Sequence, residues 1–121
     1  MLTILQRRGE SGRRAEAQAQ RYLEAHGLGL VTSNYRCRSG ELDLVMFDKE
    51  ALVIVEVRYR SRSEFMRAEE SVDWRKQARL IRATEHFLLG RRDLSEMPVR
   101  FDVLAVAGDG AVTWIRDAFQ T

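Results

Sequence analysis

The sequence predicts an α/β sandwich in which two helices cover a central mixed sheet. Three observations carry this. Residues 11–26 and 72–89 place apolar side chains at helical spacing, and each stretch is followed by a glycine, Gly27 or Gly90. Five short runs, at residues 28–36, 41–47, 52–60, 98–106 and 111–115, read as strands. The second helix separates the third and fourth runs, so these two are expected to pair in parallel through a right-handed crossover. The order is α-β-β-β-α-β-β.

In chain order, residues 1–10 read as a loose arm on a single domain spanning 1–121. The first helix presents the row Ala15, Ala19, Tyr22 and Leu23, and Glu16 lies near that buried side. Cys37, Arg38 and Ser39 form a turn after the first strand. In the second strand Leu42, Leu44 and Met46 share one face, and Glu41, Asp43, Val45 and Phe47 the other. Residues 48–50 form a polar turn. The third strand is the most β-prone run. It sets Leu52, Ile54, Glu56, Arg58 and Arg60 on one face and Val53, Val55, Val57 and Tyr59 on the other. Residues 61–70 form a polar loop. Ser71 is the expected cap of the second helix, whose core stripe is Leu80, Ile81, Thr84, Phe87 and Leu88. The turn Gly108-Asp109-Gly110 joins the last two strands.

Composition narrows the class of protein. A chain of 121 residues, 45% hydrophobic and 31% charged, can bury a core, which excludes global disorder. Cys37 is the single cysteine, which excludes a disulfide scaffold. No apolar run approaches the roughly 18 residues of a membrane span. The N-terminal Met-Leu-Thr-Ile-Leu is too short for the core of a signal peptide. A cytoplasmic protein without membrane contact is expected. The net charge is +2, split as +3 over residues 1–62 and −1 over residues 63–121. Charge alone does not diagnose nucleic-acid binding. Of the 20 cations 18 are arginine, which suits bidentate phosphate contacts and is equally explained by a coding bias.

The anomaly is a pair of acids inside apolar strands. If strands two and three turn through Lys49 and Glu50, positions summing to 99 face each other. Asp43 then opposes Glu56 with Cβ atoms about 5 Å apart, and Glu41 opposes Arg58. Opposed carboxylates on a half-buried face repel. Two arrangements relieve this. One is a hard divalent cation, Mg²⁺ or Mn²⁺, held by oxygen ligands; the other is an arginine for each acid. Spacing does not choose between them. Beyond Glu56, Arg58, Arg60 and Arg62 recur with period two, and Arg36 and Arg38 flank the preceding turn. These arginines form either a phosphate-contacting rim or a solvated strand end.

The remaining polar and aromatic residues read as structural. His26 and His86 lack partners at metal-ligand spacing. Cys37 reads as a passive thiol. Trp74 and Trp114 read as packing residues, as do Phe65 and Met66, for which base stacking is the other option. Asp102 and Asp117 are expected to form ion pairs.

The motifs follow one another in an ordered set. They are Gly12 and Glu16 with the Ala19 and Leu23 row, Asn34-Tyr35-Arg36, and Gly40-Glu41-Leu42-Asp43-Leu44. Then come Val55-Glu56-Val57-Arg58 with Arg60, Lys76, Arg100-Phe101-Asp102-Val103, and the segment from Trp114 to Phe119. Each is weak alone. Together they span nearly the whole chain and resemble the YraN family, bacterial proteins related to the PD-(D/E)XK nuclease superfamily. The resemblance implies a restriction-endonuclease-like fold, similar to that of Holliday-junction resolvases. It implies an endonuclease that hydrolyses phosphodiester bonds in DNA, branched or single-stranded, with Mg²⁺ or Mn²⁺ as cofactor. In that superfamily an acid on the first helix, an acid on the second strand and an acid-x-Lys on the third build the metal site. Carried over, the ligands are Glu16, Asp43 and Glu56, with position 58 completing the catalytic set. Resolvase-like proteins are commonly dimers, so the resemblance allows a homodimer by analogy.

One departure stands out, because position 58 is Arg58 where the superfamily has lysine. Arginine stays protonated and is a poor general base. Three readings remain open. Arg58 acts only electrostatically; the lysine role has moved to Lys76, at the start of the inward stripe of the second helix; or catalysis is lost and a nucleic-acid-binding or partner-binding module remains.

Overall fold

The computed structural model describes residues 4–60 and 72–120, with side chains from residue 12 onward. The elements are α1 (Ile4–Ala25), β1 (Gly29–Cys37), β2 (Gly40–Asp48), β3 (Ala51–Arg60), α2 (Trp74–Leu89), a short 3-10 turn (Arg92–Leu94), β4 (Val99–Ala107) and β5 (Val112–Phe119). The five strands form one sheet in sequence order. Among the described strands β3 and β4 pair in parallel, as the intervening helix requires, and the other neighbours are antiparallel. Ala15, Ala19 and Leu23 of α1 pack on Leu44, Met46, Val53, Val55 and Leu104 on one face. Leu80, Ala83 and Phe87 of α2 pack on Val45, Leu52, Ile54, Phe101 and Val103 on the other. This is the expected α/β sandwich, with the arrangement of a restriction-endonuclease-like fold. Among the described residues no helix is long and apolar enough to cross a membrane.

The β2–β3 hairpin turns through Lys49 and Glu50, and its pairs run from Leu44 with Val55 to Asp48 with Ala51. That is the register in which positions sum to 99. Lys49 adopts φ 59°, supplying the left-handed residue a two-residue hairpin needs where no Gly or Asn is present.

Four expectations are corrected. First, α1 begins at Ile4 rather than near Ser11. Gly9 and Gly12 lie inside it, and a glycine costs only about 1 kcal/mol in a helix, too little to end one. Second, α2 begins at Trp74, capped by Asp73, whose Oδ1 accepts the Lys76 N–H at 2.8 Å. The expected cap Ser71 lies outside the described residues, as does the loop carrying Arg62, Phe65 and Met66. Third, β5 continues to Phe119 instead of ending at Ile115. A register shift, with Asp117 at φ 51°, lets it stay on β4. Fourth, Leu42 packs on the α2 side and not with Leu44 and Met46.

Leu42 lies where β2 and β3 part. The β2–β3 ladder stops at Leu44 and Val55. Beyond it β2 remains paired with β1 as far as Gly40, and β3 with β4 as far as Arg60. The sheet therefore forks, with Asp43 on one prong and Glu56 on the other. Asn34, which lies across from Asp43 in the β1–β2 register, has φ 54°. Here the period-two alternation of β2 breaks, since Leu44 packs on the α1 side and Leu42 on the α2 side.

Candidate functional site

At the fork the Val57 N–H loses its strand partner, and Asp43 replaces it. Asp43 Oδ2 accepts the Val57 N–H at 2.9 Å. A buried backbone donor needs such a partner, so Asp43 is held by the fold as well as by its own strand. Glu16 approaches from the inward side of α1 and accepts a side-chain hydrogen bond from Asn34. Glu41 approaches from β2, where its cross-strand partner Arg36 lies 3.6 Å away. Oxygens of Glu16, Glu41 and Asp43 all lie within 4.8 Å of one another.

The electrostatics of the cluster are strained. Burial pushes the Asp43 carboxyl up to about 7, and the Glu56, Glu16 and Glu41 charges push the same way against the Val57 hydrogen bond. Glu16 is also raised, first by burial and then by Glu41 and Glu56, with Asn34 and Arg36 opposing. Asp102 makes an instructive contrast. It too accepts a stray backbone N–H, that of Asp117 at 2.9 Å, at the register shift between β4 and β5. It is 1% exposed. There Arg100 binds both carboxylate oxygens, at 2.9 and 3.1 Å, and Trp114 Nε1 donates at 2.9 Å. The expected ion pairing of Asp102 is thus a buried, fully satisfied one. The leading charges acting on Asp43 are carboxylates instead.

Of the acids carried over by resemblance, Glu16 and Asp43 converge, and Glu41 joins them, while Glu56 is the largest single charge acting on Asp43. Glu41 faces Arg36, not Arg58, because the ladder ends before that pair can form. Glu56 stands beside the cluster. Its Oε1 lies 3.3 Å from Lys76 Nζ, and its charge reaches Asp43 and Glu16. Lys76 does point toward the sheet: Asp73 caps its backbone, and its side chain crosses to β3. A cleft of about 640 Å³ opens between the end of β3 and the start of α2, lined by Glu56, Arg58, Arg60, Asp73, Lys76 and Arg79 among others. The arginine rim is accordingly divided. Arg58 and Arg60 line this cleft, while Arg36 and the exposed Arg38 lie on the β1–β2 side of the acids. Arg62 lies outside the described residues.

Glu41 was legible in the sequence, since it shares the period-two face of Asp43. The role of Asn34 was not. Other structural readings divide. Trp114 packs edge-on to Tyr22 and His26. Trp74 is not a packing residue: it is 72% exposed, with the Arg75 guanidinium over its ring. It belongs to the first turn of α2, ahead of the residues that reach the core. His86 is hydrogen-bonded to the Tyr35 hydroxyl, and His26 donates to the Tyr22 carbonyl at the end of α1.

A model described as "Uncharacterised protein family UPF0102" matches residues 15–106. A "UPF0102 protein" of Stutzerimonas stutzeri is 48% identical over 114 residues, covering 92% of this chain and 95% of the relative. One from Pseudomonas savastanoi pv. phaseolicola is 46% identical, covering 94% and 96%. One from Coxiella burnetii is 41% identical, covering 90% and 91%.

Proposed function

The chain belongs to uncharacterised protein family UPF0102, which includes YraN, and we propose that it is a metal-dependent endonuclease hydrolysing phosphodiester bonds in DNA. The observation that supports this is the Asp43 carboxylate. It is fixed by Val57, within 4.8 Å of Glu16 and Glu41 oxygens, and raised to about 7 by burial among other acids. The fold neutralises Asp102 with Arg100; at Asp43 it gathers acids. A divalent cation offsets that repulsion, and an all-oxygen donor set suits Mg²⁺ or Mn²⁺.

Glu16, Glu41 and Asp43 would hold the cation. When bound, it would polarise a phosphate oxygen and lower the pKa of a water molecule. The other contributions come from the cleft. Lys76, kept in place by Glu56 and the Asp73 cap, offers positive charge to the phosphate as negative charge develops. Arg58 stays protonated, so its part is to bind phosphate and not to take a proton. Arg60 and Arg79 suit neighbouring phosphates of the same strand.

Arg58 in the lysine position favours one other reading, a module that binds nucleic acid or a partner without cutting. A cleavage assay separates the two. Native protein and an Asp43→Asn/Glu41→Gln variant would be incubated with Mg²⁺ or Mn²⁺ and single-stranded, duplex, flapped or four-way-junction DNA. Cleavage that is lost in the variant supports the nuclease. Binding without cleavage on every substrate supports the module, and binding to none overturns both nucleic-acid readings.

A further inference from the structure

We propose that a hollow on the α1 side of β3 seats a single unpaired nucleobase, stacked on Tyr59. The inference rests on the nucleic-acid reading above and adds the substrate class: strands with an unpaired nucleotide next to the scissile phosphate. Tyr59 lies three residues after Glu56 on β3, about 10 Å along the strand. It is 48% exposed, although β3 is otherwise a largely buried central strand. The residue lines two spaces at once. One is the cleft that holds Glu56, Lys76 and Arg58. The other is a separate hollow of about 170 Å³, lined by Arg14, Ala15, Gln18, Val106 and Gly108 with Tyr59 itself.

The chemistry of that hollow fits a base better than it fits water or a phosphate. It has an aromatic wall, Tyr59, and an apolar floor, Ala15 and Val106, both buried. At its rim are a side-chain amide and a guanidinium, from Gln18 and Arg14. Gln18 Nε2 donates to the Gly110 carbonyl at 3.0 Å, which ties the β4–β5 turn to α1 and shapes the rim. A space of about 170 Å³ is on the scale of a cavity that takes one six-membered aromatic ring, not a base pair. Gly108 keeps it open: a Cβ at that position would lie 3.0 Å from the Tyr59 hydroxyl. A strand whose phosphate lies in the cleft passes Tyr59 next. A paired base cannot leave its stack without cost, whereas an unpaired one stacks on an aromatic face and gains.

The test compares a single-stranded DNA oligonucleotide carrying one 2-aminopurine with the same oligonucleotide in a full duplex. Ca²⁺ replaces Mg²⁺, and affinity and fluorescence are read together. The native protein is expected to bind the single strand about tenfold or more tightly than the duplex and to quench the base. Tyr59→Ala is expected to lose that preference while duplex affinity is unchanged, and Tyr59→Phe to retain it. Gly108→Val, whose side chain would meet the Tyr59 hydroxyl and crowd the hollow while the ring is retained, is expected to act like Tyr59→Ala. Equal affinity for both DNAs with no effect of Tyr59→Ala or Gly108→Val overturns the base site and leaves the nucleic-acid reading standing. Binding to neither DNA overturns both.

Discussion

Asp43 Oδ2 accepts the Val57 N–H at 2.9 Å at the point where the β2–β3 ladder ends. One hydrogen bond thus closes a fork in the sheet and holds a carboxylate among Glu16, Glu41 and Glu56. The structural task and the proposed chemical one rest on the same side chain, so substitutions at Asp43 report on both.

The first expectation concerns pH. The native Asp43 carboxyl titrates at about 7 against an ordinary value of 3.8. Between those values the native state holds the extra proton, so this group's contribution to stability is lost as pH rises through the window from about 4 to 7. Asp43→Asn keeps an acceptor for Val57 and removes the charge. In EDTA at pH 8 it is expected to be more stable than the native protein by about 1–3 kcal/mol, with the gap closing near pH 4. Urea denaturation at both pH values measures it. Equal midpoints at pH 8 would show that the Asp43 charge is already compensated within the chain.

The second concerns which acids bind metal. Calorimetry with Mn²⁺ at pH 7.5 is expected to show about tenfold or greater weakening for Glu41→Gln and Asp43→Asn. Glu56→Gln is expected to change affinity much less. Affinity should fall below pH 7, because the cation must displace the Asp43 proton. The reverse order, with Glu56→Gln the damaging change, would restore the ligand set carried over by resemblance.

The third separates Lys76 from the metal. Lys76→Met is expected to reduce cleavage about a hundredfold or more while Mn²⁺ binding stays at the native level. Lys76→Arg should recover part of the rate, since it keeps the charge. Full cleavage by Lys76→Met would remove the residue from the mechanism.

The fourth concerns phosphate contacts. Arg58→Ala and Arg60→Ala are each expected to weaken DNA binding similarly on all sequences and to reduce the salt slope by about 1. Fluorescence anisotropy over a salt series reads this directly. A slope that stays unchanged in both variants would place the DNA elsewhere.

The fifth is a structural control on β4, at its register shift with β5. Asp102→Ala removes the acceptor shared by Arg100, Trp114 and Asp117. It is expected to cost about 3 kcal/mol, because the Trp114 and Asp117 N–H donors lose their buried acceptor and Arg100 keeps only Asp48. Mn²⁺ affinity of the folded fraction should be unchanged. A neutral effect on stability would mean that solvent satisfies these donors.

Much of this molecule was determined by local sequence. Helical and period-two patterns set the order of elements. The β-branched run of β3 set the central strand, and the two-residue turn at Lys49 and Glu50 set the β2–β3 register, because each depends on neighbours a few residues apart. The presence of acids in apolar strands was equally legible. Which acids meet was decided by tertiary structure. Periodicity assigns a side chain to a face, but it does not say where a ladder stops. At that point Asp43 takes over the Val57 N–H, a contact between two strands that periodicity does not record. From it follow the convergence of Glu41 with Glu16 and Asp43, and the displacement of Glu56 toward Lys76. The hollow beside Tyr59 is tertiary too: it depends on how α1 and the β4–β5 turn meet the end of β3, contacts between residues distant in the chain that no local pattern encodes.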